Sequence, residues 1–118
     1  MIDKIKYIND GETDYPMAFT INVMEKIEEE YGGLKSWVSL VEKEEPSYKA
    51  IKFMVLEAIN EGLDILGKTE MLTSKEVGRL ITRVGLDTIG TELLTLISES
   101  LPNSDSKNKI PMQSKKKR

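Results

Sequence analysis

Tyr15-Pro16-Met17-Ala18-Phe19-Thr20-Ile21-Asn22-Val23-Met24-Glu25-Lys26-Ile27-Glu28-Glu29-Glu30-Tyr31-Gly32 changes its hydrophobic period part-way through, and that change decides the fold. Tyr15, Met17, Phe19 and Ile21 alternate along the chain, so a strand puts all four on one face. From Val23 the spacing becomes Val23, Ile27, Tyr31, which is one stripe of a helix. Glu25, Lys26, Glu28, Glu29 and Glu30 fall on its solvent side. Asn22 is placed to cap this helix, with Glu25 three residues on completing a capping-box pattern. Gly32-Gly33 ends it. Pro16 has no N–H to give a neighbouring strand, so it suits an edge strand or a strand start.

Upstream, Ile2-Asp3-Lys4-Ile5-Lys6-Tyr7-Ile8 is close to alternating and Asp10-Gly11 is a turn signal, which predicts a β-hairpin over residues 2–21. A two-stranded hairpin is marginal alone, so it must lie on helices or pair with another chain, and a homo-oligomer stays open. Downstream, Leu34, Trp37, Val38 and Val41 mark a short second helix that stops in Glu42-Lys43-Glu44-Glu45-Pro46. Pro46 fits the first turn of a third helix, running from about Ser47 to Gly62. That helix carries Tyr48, Ile51, Val55, Leu56, Ala58 and Ile59, with Phe53 and Met54 widening its apolar arc, and is the expected core helix. Thr73 and Glu76 form a capping box before Val77, Leu80, Ile81 and Val84, and Gly85 closes that helix. Asp87 is placed to cap the last one, with Ile89, Leu93, Leu96, Ile97 and Leu101 inward. The expected fold is mainly α with a small N-terminal β-hairpin (α+β), a compact bundle of five helices over residues 1–101.

Charge divides the chain at the same place. Residues 102–118 hold six Lys or Arg and one acid, Asp105, whereas residues 1–101 hold eleven basic and nineteen acidic side chains. The net charge of −3 thus combines a body of −8 with an end segment of +5. Ile110 and Met112 are the sizeable apolar groups of that segment, too few to offset the entropy of ordering it. The sequence therefore predicts a disordered basic tail ending in Lys115-Lys116-Lys117-Arg118.

Composition removes most chemistry. The chain has no cysteine and no histidine, so thiol catalysis, disulfides and the commonest general base and metal ligand are excluded. Glu28-Glu29-Glu30 and Glu42, Glu44, Glu45 fall on solvent faces, and no Gly-rich phosphate loop is present. An enzyme, a cofactor or a metal is not expected. No apolar run approaches the ~18 residues of a membrane span, and no signal-like start is seen, so a cytoplasmic protein is expected. Leu72-Thr73-Ser74-Lys75-Glu76-Val77-Gly78 resembles the first helix of a helix-turn-helix unit. Its turn glycine, Gly85, comes a helical turn too late, and the would-be recognition helix holds Asp87, Glu92 and Glu99 with no Lys or Arg. Specific DNA reading is therefore disfavoured. Trp37 belongs either to the core or to an interface hot spot. With Val38, Val41, Met54, Met71 and Leu72 it forms the candidate partner-binding set, and the cations Lys115, Lys116, Lys117 and Arg118 form a second.

The segment quoted first resembles the opening of the tail assembly chaperones of long-tailed bacteriophages and prophages, in which a Tyr-Pro strand runs into an Asn-capped acidic helix ending in Gly. Leu72-Thr73-Ser74-Lys75-Glu76-Val77-Gly78-Arg79-Leu80-Ile81 is similar to that family's later Leu-Thr, Glu-Val-Gly, Leu-Ile helix. The resemblance spans residues 15–84. It implies a non-catalytic protein of the host cytoplasm that coats the tape measure protein, keeps it soluble, helps recruit tail tube subunits and is absent from the finished virion. A small DNA-associated regulatory protein and a structural virion component are the alternatives.

Many such phages make a longer product by ribosomal frameshifting near the end of the short form, and Lys115-Lys116-Lys117 fits an adenine-rich slippery run. Reading the codons decides this: a slippery heptamer there and an overlapping frame continuing past Arg118 are expected. Absence of both defeats the idea.

Overall fold

The computed structural model describes residues 4–101; the tail expected over 102–118 lies outside the described residues. The element order is β1 (Ile5–Asn9), β2 (Asp14–Ala18), α1 (Ile21–Tyr31), α2 (Leu34–Val41), α3 (Tyr48–Ile65), α4 (Ser74–Val84) and α5 (Leu86–Ser100). This is the helical fold with an N-terminal hairpin that the periodicities predict. The strands pair antiparallel, from Ile5 opposite Ala18 to Asn9 opposite Asp14. Asp10 makes the turn, its Oδ1 accepting the backbone N–H groups of Glu12 and Thr13 at 3.0 and 2.9 Å.

The hairpin lies on α3. Pro16, Met17, Ala18 and Phe19 are all buried, so β2 is covered on both faces rather than the expected one. The strand ends at Ala18, the alternation is lost there, and Ile21 becomes the exposed first residue of α1 instead of an inward strand residue. Gly62 is where β2 crosses the helix. A Cβ at Gly62 would sit 2.7 Å from the carbonyl oxygen of Pro16. The helix therefore does not end at Gly62 as the sequence suggests, because that glycine answers to the strand beside it. Leu66 is the C-cap, and the left-handed glycine that follows it is Gly67, with φ 79°. Around it the N–H of Lys68 donates to the Leu63 carbonyl at 2.9 Å and that of Gly67 to Asp64 at 3.0 Å, a Schellman closure.

Three other helix starts differ from expectation. Thr20, not Asn22, is the N-cap of α1, and its side chain makes no capping bond. Ser47 caps α3, accepting the Ala50 N–H at 3.1 Å, and leaves Pro46 outside the helix. Gly85 takes the cap position of α5, so Asp87 falls in the first turn, where its charge meets the positive helix end. The Thr73–Glu76 capping box forms as read.

One continuous core joins the hairpin to all five helices. Trp37 is its largest fully buried side chain, and its indole N–H donates to the Ala50 carbonyl at 2.8 Å, which fixes α2 on α3. Tyr31 and Phe53 meet edge-to-face at 5.3 Å between α1 and α3. Lys6–Glu92 and Lys4–Glu99 ion pairs, at 3.4 and 3.6 Å, mark the run of α5 beside β1.

Gly62→Ala should lose roughly 1–3 kcal/mol of stability, because the added methyl pushes against the Pro16 backbone, which cannot rotate away. Gly90→Ala, in open space on α5, should gain about 0.5–1 kcal/mol from helix propensity. Urea unfolding midpoints of the two variants test the pair, and equal gains would show that the strand does not press on Gly62.

Candidate functional site

Four large apolar side chains stand exposed around the C-terminal end of α3. Ile21 is 61% exposed, Leu66 43%, Met71 41% and Ile65 37%. Hydrogen bonds tie the segments that carry two of them, Ile21 and Met71, to α3. Ile21 lies between Thr20 and Asn22, and both of those side chains donate to Glu61 Oε2, at 2.7 and 3.2 Å. Ile65 follows Glu61 by one helical turn and shares its face. Met71 precedes Leu72, whose backbone is held twice by the Asn60 side chain: Leu72 N–H donates to Oδ1 at 2.9 Å and Nδ2 donates to the Leu72 carbonyl at 3.1 Å. Two consecutive α3 residues, Asn60 and Glu61, thus pin the segments that carry the patch.

Glu61, Asp64 and Glu70 lie along the chain here with Lys68, and a shallow depression of about 150 Å³ is lined by Asn22, Val23, Lys26, Glu57, Asn60 and Glu61. Burial pushes the Glu57 carboxyl above its usual range; Lys26 pulls it back, and Glu29 and Glu61 add to the rise. A second depression, about 200 Å³, lies between β2 and α4, with Tyr15, Leu72 and Leu80 as floor and Glu76, Arg79 and Arg83 around it. Arg83 Nη2 is held by Asp10 Oδ2 at 3.1 Å. The Asp10 carboxyl lies below its ordinary range, first because the Thr13 and Glu12 N–H groups bond it and then because Arg83 is near.

The candidate partner residues are distributed differently from the sequence reading. Trp37 and Met54 are core, 1% and 0% exposed, so neither offers surface to a partner in this fold. Their helical faces point at the hairpin and at neighbouring helices, which periodicity cannot distinguish from a groove. Val38 and Val41 are half-buried against the same core. Leu72 is half-buried, and Met71 is the one of the six that opens to solvent. Lys115, Lys116, Lys117 and Arg118 lie outside the described residues. Ile21, Ile65 and Leu66 were not singled out by the sequence: Ile21 fitted the strand parity, and the other two fell beyond the helix end set at Gly62. The adjacent apolar pair Ile65-Leu66 just before Gly67 was the available signal.

No group of His, Cys, Asp or Glu side chains among the described residues could hold a metal ion, and no described helix is long and apolar enough to cross a membrane. What the arrangement offers is contact: exposed apolar side chains on a body of net negative charge. Among known proteins, no family model, curated protein or solved structure matches the chain.

The two shifted carboxyls give opposite pH signatures. Glu57 has a folded value above its unfolded one, so the stability linked to it is present in acid and is lost as pH rises through the folded value. Glu57→Gln should therefore raise Tm relative to the parent at pH 7 and leave it unchanged near pH 3.5, where the parent carboxyl is protonated in both states (ordinary value about 4.3). Equal effects at both pH values would assign the change to packing instead.

Proposed function

We propose that this protein is a tail assembly chaperone of a long-tailed phage or prophage, acting without catalysis in the host cytoplasm and outside the finished virion. The observation that carries the reading is the exposure of Ile21, Ile65, Leu66 and Met71 on a body of net charge −8. A tape measure protein is a long helical rod whose apolar stripe aggregates until tail tube subunits enclose it. A small acidic domain that offers a few exposed aliphatic and methionine side chains binds such stripes reversibly, since methionine adapts to varied partners. Its charge then keeps the complex in solution. Ile21 lies within the strand-to-helix segment from Tyr15 and Met71 directly precedes the Leu72–Ile81 segment, the two stretches that carry the family resemblance. The same contact chemistry serves recruitment of tail tube subunits.

The DNA-associated alternative gains nothing from the fold. The described part of α5 carries no Lys or Arg, and Arg83 is already shared with Asp10.

Co-expression with a tape measure protein encoded nearby should raise that protein's soluble yield. Ile65→Glu with Met71→Glu should remove the gain while the variant's own Tm stays within a few degrees, because both side chains are exposed. Unchanged yield with the parent chain, together with no pull-down, defeats the reading.

A further inference from the structure

Both arginines of the described residues stand at one depression. We propose that the hollow between β2 and α4 binds the carboxy-terminal residue of a peptide, seating its apolar side chain on Tyr15, Leu72 and Leu80 and its terminal carboxylate on Arg79.

The cations of this acidic body are sorted by type. Residues 4–101 hold nine lysines and two arginines. Arg79 and Arg83 both line the hollow, whose volume is about 200 Å³, and no lysine does. Four residues apart on α4, they are neighbours on the helix surface. A planar guanidinium offers two parallel N–H groups to the two oxygens of a carboxylate, a pairing that an ammonium cannot reproduce.

The two arginines differ in what they already hold. Arg83 Nε and Nη2 donate to Asp10 Oδ2 at 3.2 and 3.1 Å. Asp10 is itself anchored by the N–H groups of Glu12 and Thr13, so the Arg83 guanidinium is fixed beside the hollow as a standing positive charge. Glu76, which also lines it, is turned to the capping box, its Oε1 accepting the Thr73 N–H at 2.8 Å. Arg79 is exposed and makes no hydrogen bond or ion pair with any described residue. A lone guanidinium thus stands beside an apolar floor. That floor is preformed: Leu80 is buried in the core, and the Asn60 side chain holds the Leu72 backbone at 2.9 and 3.1 Å.

Charge and size together select the occupant. A chain end carries an apolar side chain and a carboxylate on one Cα, so a single residue serves both the floor and Arg79. An internal Asp or Glu needs an apolar partner two positions away, roughly 7 Å along an extended chain, which a hollow this small does not cover. A nucleic-acid phosphate matches the guanidinium but leaves the apolar floor unused, and its neighbouring phosphates meet a body of net charge −8.

The test is a titration of the isotope-labelled full chain, followed by its amide signals. Acetyl-Gly-Gly-Leu with a free carboxylate should shift the signals of Tyr15, Leu72 and Arg79 to saturation. The same peptide ending in a carboxamide, and acetyl-Gly-Gly-Gly with a free carboxylate, should each bind roughly tenfold more weakly, because each lacks one anchor. Arg79→Gln should lose about the same tenfold with its Tm within a few degrees of the parent, and Arg79→Lys should recover only part of that loss. No saturable shift, equal binding of acid and amide, or undiminished binding by Arg79→Gln overturns the proposal. So does inorganic phosphate or a single-stranded DNA oligonucleotide that moves the same signals with the peptide's affinity, since the hollow is then a general anion site. No tape measure protein enters this experiment, so its failure leaves the chaperone reading standing, and failure of the co-expression test leaves this site standing.

Discussion

The backbone of β2 passes over α3 at a position with no side chain, and the rest of the structure depends on that crossing. Gly62 lets the Pro16 carbonyl come within 2.7 Å of where a Cβ would stand. This brings Met17 and Phe19 down into a core that α3 alone could not close. A two-stranded hairpin has no stability of its own in water, so its burial on α3 is what makes it a hairpin. The buried Pro16 fits the same logic: with no N–H to satisfy, it can be pressed against a helix without orphaning a donor.

From that crossing α3 acts as the common support. Trp37 hangs on the Ala50 carbonyl near its start, and Asn60 and Glu61 hold Leu72, Thr20 and Asn22 near its end. These polar links are worth little individually, on the order of 1 kcal/mol each, but breaking one partner of a covered pair costs more than forming it gains. They set which segments lie beside the helix terminus.

Stability and use pull apart at the surface. Ile21, Ile65, Leu66 and Met71 remain in water, and exposed aliphatic side chains are a hazard for a free protein where they join into patches. An acidic surface restrains self-association through like-charge repulsion. The Glu57 carboxyl, pushed up by burial and by Glu29 and Glu61, belongs to the same crowding of negative charge at the α1–α3 contact.

Much of this was legible in residue order. The switch from alternation to helical spacing at Asn22, the glycine pair after Tyr31, and the Thr73–Glu76 box each have a local cause, so they gave five helices and a hairpin without reference to the rest of the chain. Local signals failed where a distant segment claimed the residue. Asn22 had a capping partner nearby yet turned to Glu61, Gly62 resembled a helix end until the strand laid across it is considered, and Trp37 looked equally suited to core or interface. Ile21 fitted an inward strand face because nothing in its neighbours marks Ala18 as the last paired residue. The sequence by itself determined the elements, the charge division and the lack of thiol and imidazole chemistry, since these follow from composition and from contacts within a few residues. Which apolar groups are spent on the core and which are left at the surface was decided only by tertiary structure, because burial depends on what packs across, and that partner lies tens of residues away.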